Sequence, residues 1–400
     1  MDLDKLKTTA GLDVHGKRVL VRADLNVPVR DGEVTDATRL ERLVPGILDL
    51  SDRGARVVLI SHFGRPKDGP DPKYSLKPVA AKLAGLMKRP VAFVDDCIGA
   101  KAHAAVDSLA PGQIAVLENL RFHKGEEKND PAFAQELASL GDLYVDDAFS
   151  SAHRAHASTE GVTHYLPSYA GPLMMEEIAA LRSALDRPDP PTAAIVGGAK
   201  VSTKIPLLMN LIDKVDKLII AGGMANTFYQ AEGVDVGRSL AEPDFRETAL
   251  DVMKAAKARS CEVVLPPDAV VAKELKEGVP TQVVPILEVP SDSMILDVGP
   301  KSVAHFTDVL SRCRTLVWNG PLGAFEVPPF GEGTFALARE AAKLTKARRL
   351  ISVAGGGDTV AALNAAGVTD AFTYVSTAGG AFLEWLEGRE LPGVAALARD

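Results

Sequence analysis

Three cysteines in 400 residues, Cys97, Cys261 and Cys313, stand far apart with no C-x-x-C pair and no Cys/His spacing. That excludes a disulfide framework and gives no ligand pattern for a structural zinc site. No run of 18 apolar residues occurs, so no membrane-spanning helix is expected. The opening stretch carries Asp2, Asp4 and Asp13 and lacks the apolar segment of a secretory signal. Neither sign of charge dominates: the formal charge of −8 and pI near 5.6 supply no global field for nucleic acid or an anionic membrane. The expectation is a soluble, cytoplasmic protein in a reducing compartment.

Two nucleotide motifs are incomplete as well. Gly11 to Lys17 has P-loop spacing, but Arg18 stands where Ser or Thr would hold Mg²⁺, and a strand follows where that motif needs a helix. The segment reads as a turn. Gly355 and Gly357 begin a dinucleotide fingerprint, yet Val360 occupies the third glycine position and no acidic residue follows about twenty residues on. A nicotinamide cofactor is therefore weakly supported.

What is present is a strand, turn and helix pattern that recurs. At roughly 150 residues per domain the chain is long enough for two or three domains, and two is the expectation. Apolar, β-rich runs predict strands at Arg18–Val21, Arg56–Ile60, Val91–Val94, Ile114–Leu117 and Leu143–Val145. A second set lies at Ala193–Val196, Lys217–Ala221, Cys261–Leu265, Thr315–Trp318 and Leu350–Ala354. Helical stretches such as Pro131–Leu140 and Phe335–Lys346 lie between, the alternation of parallel sheets flanked by helices. In the stretch Arg349–Gly367, a strand meets Gly355, Gly356 and Gly357 and then a helix expected to open at Asp358 and Thr359, with Asp358 as a natural cap. Such a helix start binds anions, although a capped turn without a ligand has the same composition.

Ligands of open parallel sheets sit beyond the carboxyl ends of the strands, and there the two halves differ. In the first half the strands run into Arg22-Ala23-Asp24-Leu25-Asn26, Ser61-His62-Phe63-Gly64-Arg65, Glu118-Asn119-Leu120-Arg121 and Ser151-Ala152-His153-Arg154. In the second they run into Gly197-Gly198-Ala199-Lys200, Gly222-Gly223, Asn319-Gly320-Pro321-Leu322-Gly323 and Gly355-Gly356-Gly357-Asp358. Forked arginines fit a small, densely anionic molecule, and glycine turns feeding helix starts fit a nucleotide. A single arginine is ordinarily a surface ion pair and a single histidine a satisfied structural one; several arginines beyond the strand ends of one sheet form a site. Met174, Ile178, Leu181 and Leu185 then mark an amphipathic helix opened by Pro172 and stopped by Pro188, Pro190 and Pro191, a stiff connector between the halves.

These motifs resemble the phosphoglycerate kinase family over essentially the whole length. Arg18–Pro28, Ser61–Pro66, Glu118–Phe122 and Ala152–Ser158 are similar to its motifs in order and spacing, as are Gly197–Lys204, Trp318–Gly323 with Glu326, and Gly355–Thr359. Phe63, Glu160 and Pro172 depart from the usual residues without removing a functional group. The resemblance implies an α/β fold of two doubly wound, Rossmann-like parallel-sheet lobes. A glycerate domain of residues 1–170 with 388–400 would be joined through an interdomain helix, 171–187, to a nucleotide domain, 188–387. It implies reversible phosphoryl transfer from 1,3-bisphosphoglycerate to ADP, giving 3-phosphoglycerate and ATP, with Mg²⁺ on the nucleotide, in a monomer. Carried over by motif, Asp24, Leu25, Asn26, Arg39, His62, Phe63, Gly64, Arg65, Arg121 and Arg154 would hold the glycerate substrate. Lys200, Lys204, Gly222, Asn319, Glu326, Gly356, Gly357, Asp358 and Thr359 would serve the nucleotide, with Asp358 nearest the metal.

Both nucleophiles of that reaction, a phosphate oxygen and a carboxylate, are ionised at neutral pH. The protein must then supply positive charge and in-line positioning rather than a general base. Arg39 and Lys204 are the catalytic candidates; Lys204 lies four residues after Lys200, a spacing that predicts one shared helical face. A nicotinamide-dependent dehydrogenase and a two-lobed anion-binding protein are the alternatives.

Overall fold

The strands of the first half are built from apolar runs with little alternation, the pattern of strands covered on both faces. A computed structural model describes residues 3–399 and places these strands at β1 (Arg18–Arg22), β2 (Val29–Arg30), β3 (Glu33–Val34), β4 (Arg56–Ile60), β5 (Val91–Val94), β6 (Ile114–Leu117), β7 (Leu143–Asp146) and β8 (Ser168–Ala170). Six of them form a parallel sheet in the order β5-β6-β4-β1-β7-β8; β2 and β3 form a short antiparallel hairpin. Val19, Leu20, Val57, Val58, Val116 and Leu117 are all fully buried, because helices cover both faces.

The second half gives β9 (Thr192–Val196), β10 (Lys217–Ile220), β11 (Glu262–Val264), β12 (Asp268–Ala272), β13 (Gln282–Pro285), β14 (Met294–Val298), β15 (Thr315–Asn319), β16 (Ile351–Gly355) and β17 (Tyr374–Ser376). Its parallel sheet runs β11-β10-β9-β15-β16-β17, with β13-β12-β14 as a separate antiparallel sheet. The main sheet grows outward from β9 in one direction and from β15 in the other, the doubly wound order whose reversal point lies between these two strands. In the first sheet the reversal falls between β1 and β7.

The chain divides into two compact units, one running to Glu177 and resuming at Glu390, the other spanning Ile178–Arg389. In the first, the short helix Pro392–Leu397 packs beside β8 and the turn Phe149–Ser151, where Gly393 N–H donates to Ala152 O at 2.8 Å. The boundary at 177/178 lies inside the helix Pro172–Leu181, which widens into a π-turn over Arg182–Asp186. Its stripe of Met174, Ile178, Leu181 and Leu185 is buried as the spacing predicts.

Several helices are capped by carboxylates far away in sequence. Asp268 accepts from the N–H groups of Lys301 (3.0 Å) and Ser302 (2.7 Å) at the start of Pro300–Ser311. Asp297 accepts from Gly333 (2.9 Å) at the start of Glu332–Lys346, and burial pushes its carboxyl up to about 7. Asp147 does the same for Pro172–Leu181. Each satisfies amides that the local sequence leaves without a partner.

All ten expected strands form. Four three-dimensional details differ from the sequence expectation. After β11 the chain forms β12, β13 and β14 as an antiparallel sheet of its own, outside the expected strands, and β8 and β17, three residues each, are too short to register as periodic runs. The helix after the triple glycine starts at Gly357, capped by Gly356 at φ 98°, so Asp358 lies inside its first turn and is not the cap. The reason is that a positive φ at the cap needs glycine. Finally, Lys200 and Lys204 do not share a helical face: Lys200 precedes a single turn of 3₁₀ helix, Val201–Thr203, and Lys204 caps the following helix Ile205–Ile212.

Candidate active site

At the reversal point of the first sheet, Arg22 ends β1 with a side chain that is 1% exposed. A buried guanidinium needs acceptors around its whole fork. Here Nε donates to Ser158 Oγ (2.9 Å), Nη1 to Ala23 O (2.7 Å), and Nη2 to His62 Nδ1 (2.9 Å) and Ser151 Oγ (3.3 Å). Ser158 in turn donates from its N–H and Oγ to the fully buried Glu126 at 2.7 and 2.6 Å, whose carboxyl burial pushes upward. Arginine only donates, so His62 Nδ1 accepts and its proton resides on Nε2. Burial, and then the charges of Arg22, Arg121, His156 and Arg39, hold the His62 imidazole well below its ordinary range. It is a neutral N–H donor across physiological pH.

Arg39, in the first turn of the helix Thr38–Asp52, donates to Asn26 O (2.7 Å) and pairs with Asp24 (3.2 Å). Asp24 also accepts from Ser150 Oγ at 2.5 Å. Asn26 Oδ1 accepts from Gly64 N–H (2.9 Å), and Arg121 Nη1 donates to Gly64 O (2.9 Å), so the loops after β1, β4 and β6 lock together. Asn119 adds bonds to both backbone groups of Phe63. Leu25 is fully buried and fastened by its N–H to Ser61 Oγ at 3.0 Å. Beyond this rigid base Arg65 and Arg154 are exposed.

The electrostatics show convergence. Burial lowers Arg121, and Arg22 and Arg65 add repulsion; burial takes His156 down to about 4, with Arg121, Arg22 and Arg154 contributing. Guanidinium groups and imidazoles brought together in this way suit an anionic ligand. Arg22 and His156 were not singled out as site residues from sequence. Arg22 carries only the signal of a charge at the end of the run Arg-Val-Leu-Val-Arg; His156 carries none beyond its neighbours. Behind this wall Asp96, Cys97 and His123 place ligand-type atoms within 4.8 Å of one another. His123 Nε2 lies 2.7 Å from Asp96 Oδ1, tying the turn that carries Arg121 to the end of β5.

At the reversal point of the second sheet the chain ends of β9 and β15 touch. A Cβ on Gly197 would collide with the backbone of Gly320 and Pro321, and Gly320, at φ 96°, stands against Gly197 in the same way. This crossing requires two glycines. Asn319 bridges outward from it, accepting from Lys204 Nζ at 2.6 Å and donating to Gly355 O at 2.9 Å. Gly320 N–H donates to Thr359 Oγ1 at 2.7 Å. Lys204 is thus stretched across the glycine turns; burial lowers its pKa, and the charges of Glu387 and Asp358 oppose that fall. Lys200, Glu326, Gly357 and Asp358 are exposed around it. Beside them opens a mainly apolar cavity of about 440 Å³ bounded by Gly222, Tyr229, Leu322, Glu326 and Asp358. Apolar walls with a glycine-lined mouth fit a flat base and its phosphates.

A cation-rich site on one doubly wound unit and a glycine-lined cleft with a poised lysine on another define a phosphotransferase that works on a small anionic substrate. The comparisons with known proteins make this particular. The family model described as "Phosphoglycerate kinase" matches residues 9–389. The chain is 60% identical over 384 residues to a phosphoglycerate kinase of Methylorubrum extorquens strain PA1, covering 96% of each chain. It is 62% identical over 385 residues to that of Rhizorhabdus wittichii, covering 96% of this chain and 97% of the relative. Among solved structures, phosphoglycerate kinase from Coxiella burnetii aligns with TM-score 0.92 at 43% identity, and that from Pyrococcus horikoshii OT3 with TM-score 0.81 at 29% identity, each covering 98% of both chains. The chain belongs to the phosphoglycerate kinase family. It transfers a phosphoryl group reversibly between 1,3-bisphosphoglycerate and ADP, forming 3-phosphoglycerate and ATP, with a carboxyl group as acceptor in the reverse direction. The dehydrogenase and anion-binding alternatives fall with this result. Among the described residues no helix is long and apolar enough to cross a membrane.

Proposed function

We propose that the arginine-lined site of the first unit holds the glycerate substrate and the glycine-lined cleft of the second holds the nucleotide. The observation that carries this division is the contrast between the two reversal points: basic side chains whose pKa values are depressed around His62 in one, and a glycine crossing spanned by Lys204 in the other. Arg39, His62, Arg65, Arg121 and Arg154, on the frame made by Asp24, Leu25, Asn26, Phe63 and Gly64, bind the phosphate and carboxyl ends of the glycerate. Gly222 and Glu326 border the base and ribose; Lys200, Asn319, Gly356, Gly357 and Thr359 line the phosphate path. An exposed carboxylate in a helix's first turn beside a lysine fits a phosphate-borne Mg²⁺, which uses one or two carboxylates and keeps its waters, so Asp358 would be its protein partner. Bound Mg²⁺ draws charge from the nucleotide's phosphate oxygens.

Arg39 from one side and Lys204 from the other neutralise the equatorial oxygens of the travelling phosphoryl group. A wet cleft would lose the acyl phosphate to water and spread the two cations' fields. We therefore assign closure of the units, about hinges flanking the connecting helix, as the step that completes the site. The protein acts as a monomer in the cytoplasm.

This mechanism has no general base, and a pH profile tests it. The ratio of wild-type kcat to that of His62→Gln should stay constant within about twofold between roughly pH 6.5 and 8. The substrates' own ionisations cancel in that ratio. His62, neutral throughout because its pKa lies well below the ordinary value, shifts KM instead. A ratio that follows one ionisation near pH 6.5 would make His62 a proton-transfer group and contradict the mechanism.

A further inference from the structure

The connecting helix starts at Pro172, and its first amides need partners. Asp147 Oδ1 accepts from Leu173 N–H at 2.7 Å and Met174 N–H at 3.1 Å. The carboxylate fits because residue 171 is glycine: a Cβ there would stand 2.6 Å from Asp147 Cβ. Asp147 is 6% exposed and immediately follows β7, its own N–H donating to Arg22 O at 2.9 Å.

From this cap two short routes lead to one pair in the glycerate site. Along the chain, Ser150 is three residues on and donates to Asp24 at 2.5 Å; Asp24 pairs with Arg39. Across the packing, the helix Thr38–Asp52 that carries Arg39 sets Gly46 against Pro172, where a Cβ would meet Pro172 Cγ at 3.0 Å and Asp147 Oδ2 at 3.7 Å. The same helix sends Arg42 to Glu176 at 3.2 Å. Both members of the Asp24–Arg39 pair therefore bear on the first turn of the helix whose later residues belong to the nucleotide unit.

We propose that Asp147 is a positioning residue for phosphoryl transfer, its carboxylate passing occupancy of the glycerate site into the first turn of the connecting helix. The proposal rests on the hinge-closure reading above. The anionic form does this work, since a carboxylate caps a helix start better than a neutral acid. Burial raises Asp147 to about 6, while the Met174 and Leu173 amides and Arg42 pull it down and Glu176 pushes it up. Neighbouring Asp146, buried and raised to about 7, titrates beside it. A cavity of about 920 Å³, bordered by Asp147, Arg42, Arg53 and Glu176, gives water access to the cap. Acidification through pH 6 therefore discharges the cap while the arginines that bind glycerate stay charged.

The test is Asp147→Asn in the full-length enzyme, which keeps an acceptor oxygen and the side-chain shape and removes the charge. At pH 7.5 kcat should fall about tenfold while calorimetric affinity for 3-phosphoglycerate stays within about threefold. The wild-type to variant kcat ratio should decline toward one as pH drops from 7 to 5. Measured without any variant, wild-type kcat should decline through about pH 6, the value burial gives Asp147, more steeply than affinity for the nucleotide. Solution scattering should show the wild type compacting with 3-phosphoglycerate and a non-reactive nucleotide together, and the variant compacting less. If the wild type compacts and the variant compacts and turns over equally at every pH, the proposal is wrong and closure stands. If kcat, glycerate affinity and melting temperature fall together with no pH dependence in the ratio, Asp147 is a structural cap only and the proposal is overturned. A wild type that does not compact overturns the closure reading and the proposal with it.

Discussion

Lys204→Ala should lower kcat by roughly 10³-fold or more, the scale of a transition-state cation in phosphoryl transfer. Lys204 Nζ is held at 2.6 Å by Asn319, which also fixes the end of β16 through Gly355. Removing the ammonium leaves that second bond in place, so the glycine framework survives and glycerate affinity changes little. What disappears is a largely desolvated cation, the kind of charge worth most where developing negative charge must be met without water. Steady-state kinetics on a variant with unchanged circular dichroism measures the effect. A loss smaller than about tenfold would remove Lys204 from the mechanism.

Arg39→Ala should be nearly as damaging, by roughly 10²- to 10³-fold in kcat/KM for the glycerate substrate, and by a different division. Arg39 both pairs with Asp24 at 3.2 Å and donates to Asn26 O at 2.7 Å. Its loss removes the substrate's cation and also leaves Asp24, only 9% exposed, with Ser150 as its remaining side-chain partner, an uncompensated negative charge where an anion must bind. KM for 3-phosphoglycerate should rise as kcat falls, whereas KM for the nucleotide should hold. Arg39→Lys should restore only part of the activity, because an ammonium cannot span Asp24 and Asn26 together as the fork does. Full recovery in Arg39→Lys would show that only charge, not geometry, matters at this position.

The sequence was most legible where chemistry forces residue type. Parallel strands buried on both faces must be apolar runs, so β4 and β6 are bounded as expected. Glycine crossings and arginine-bearing strand ends stand out for the same reason. Legibility failed where the cause lies across the fold. Nothing near Gly171 announces that Asp147 caps the helix after it, or that Asp268 and Asp297 cap others from more than thirty residues away. Arg22 looks like one more strand-end charge until His62, Ser151 and Ser158 are seen around it. The spacing of Lys200 and Lys204 implied a shared helical face; a 3₁₀ turn between them breaks it, and tertiary packing rather than local periodicity sets the direction of Lys204.

The claim on which the mechanism turns is that two sites built on separate units meet only when both are filled. Reacting atoms must approach to about 3–3.5 Å, with Arg39 and Lys204 on the same phosphoryl group. Small-angle scattering on the free protein, on each singly liganded form, and on the form with 3-phosphoglycerate and a non-reactive Mg-nucleotide measures this directly. The radius of gyration should fall in the doubly liganded state by more than in either singly liganded one; identical values in the free and doubly liganded states, within error, would contradict closure and leave gating to a loop.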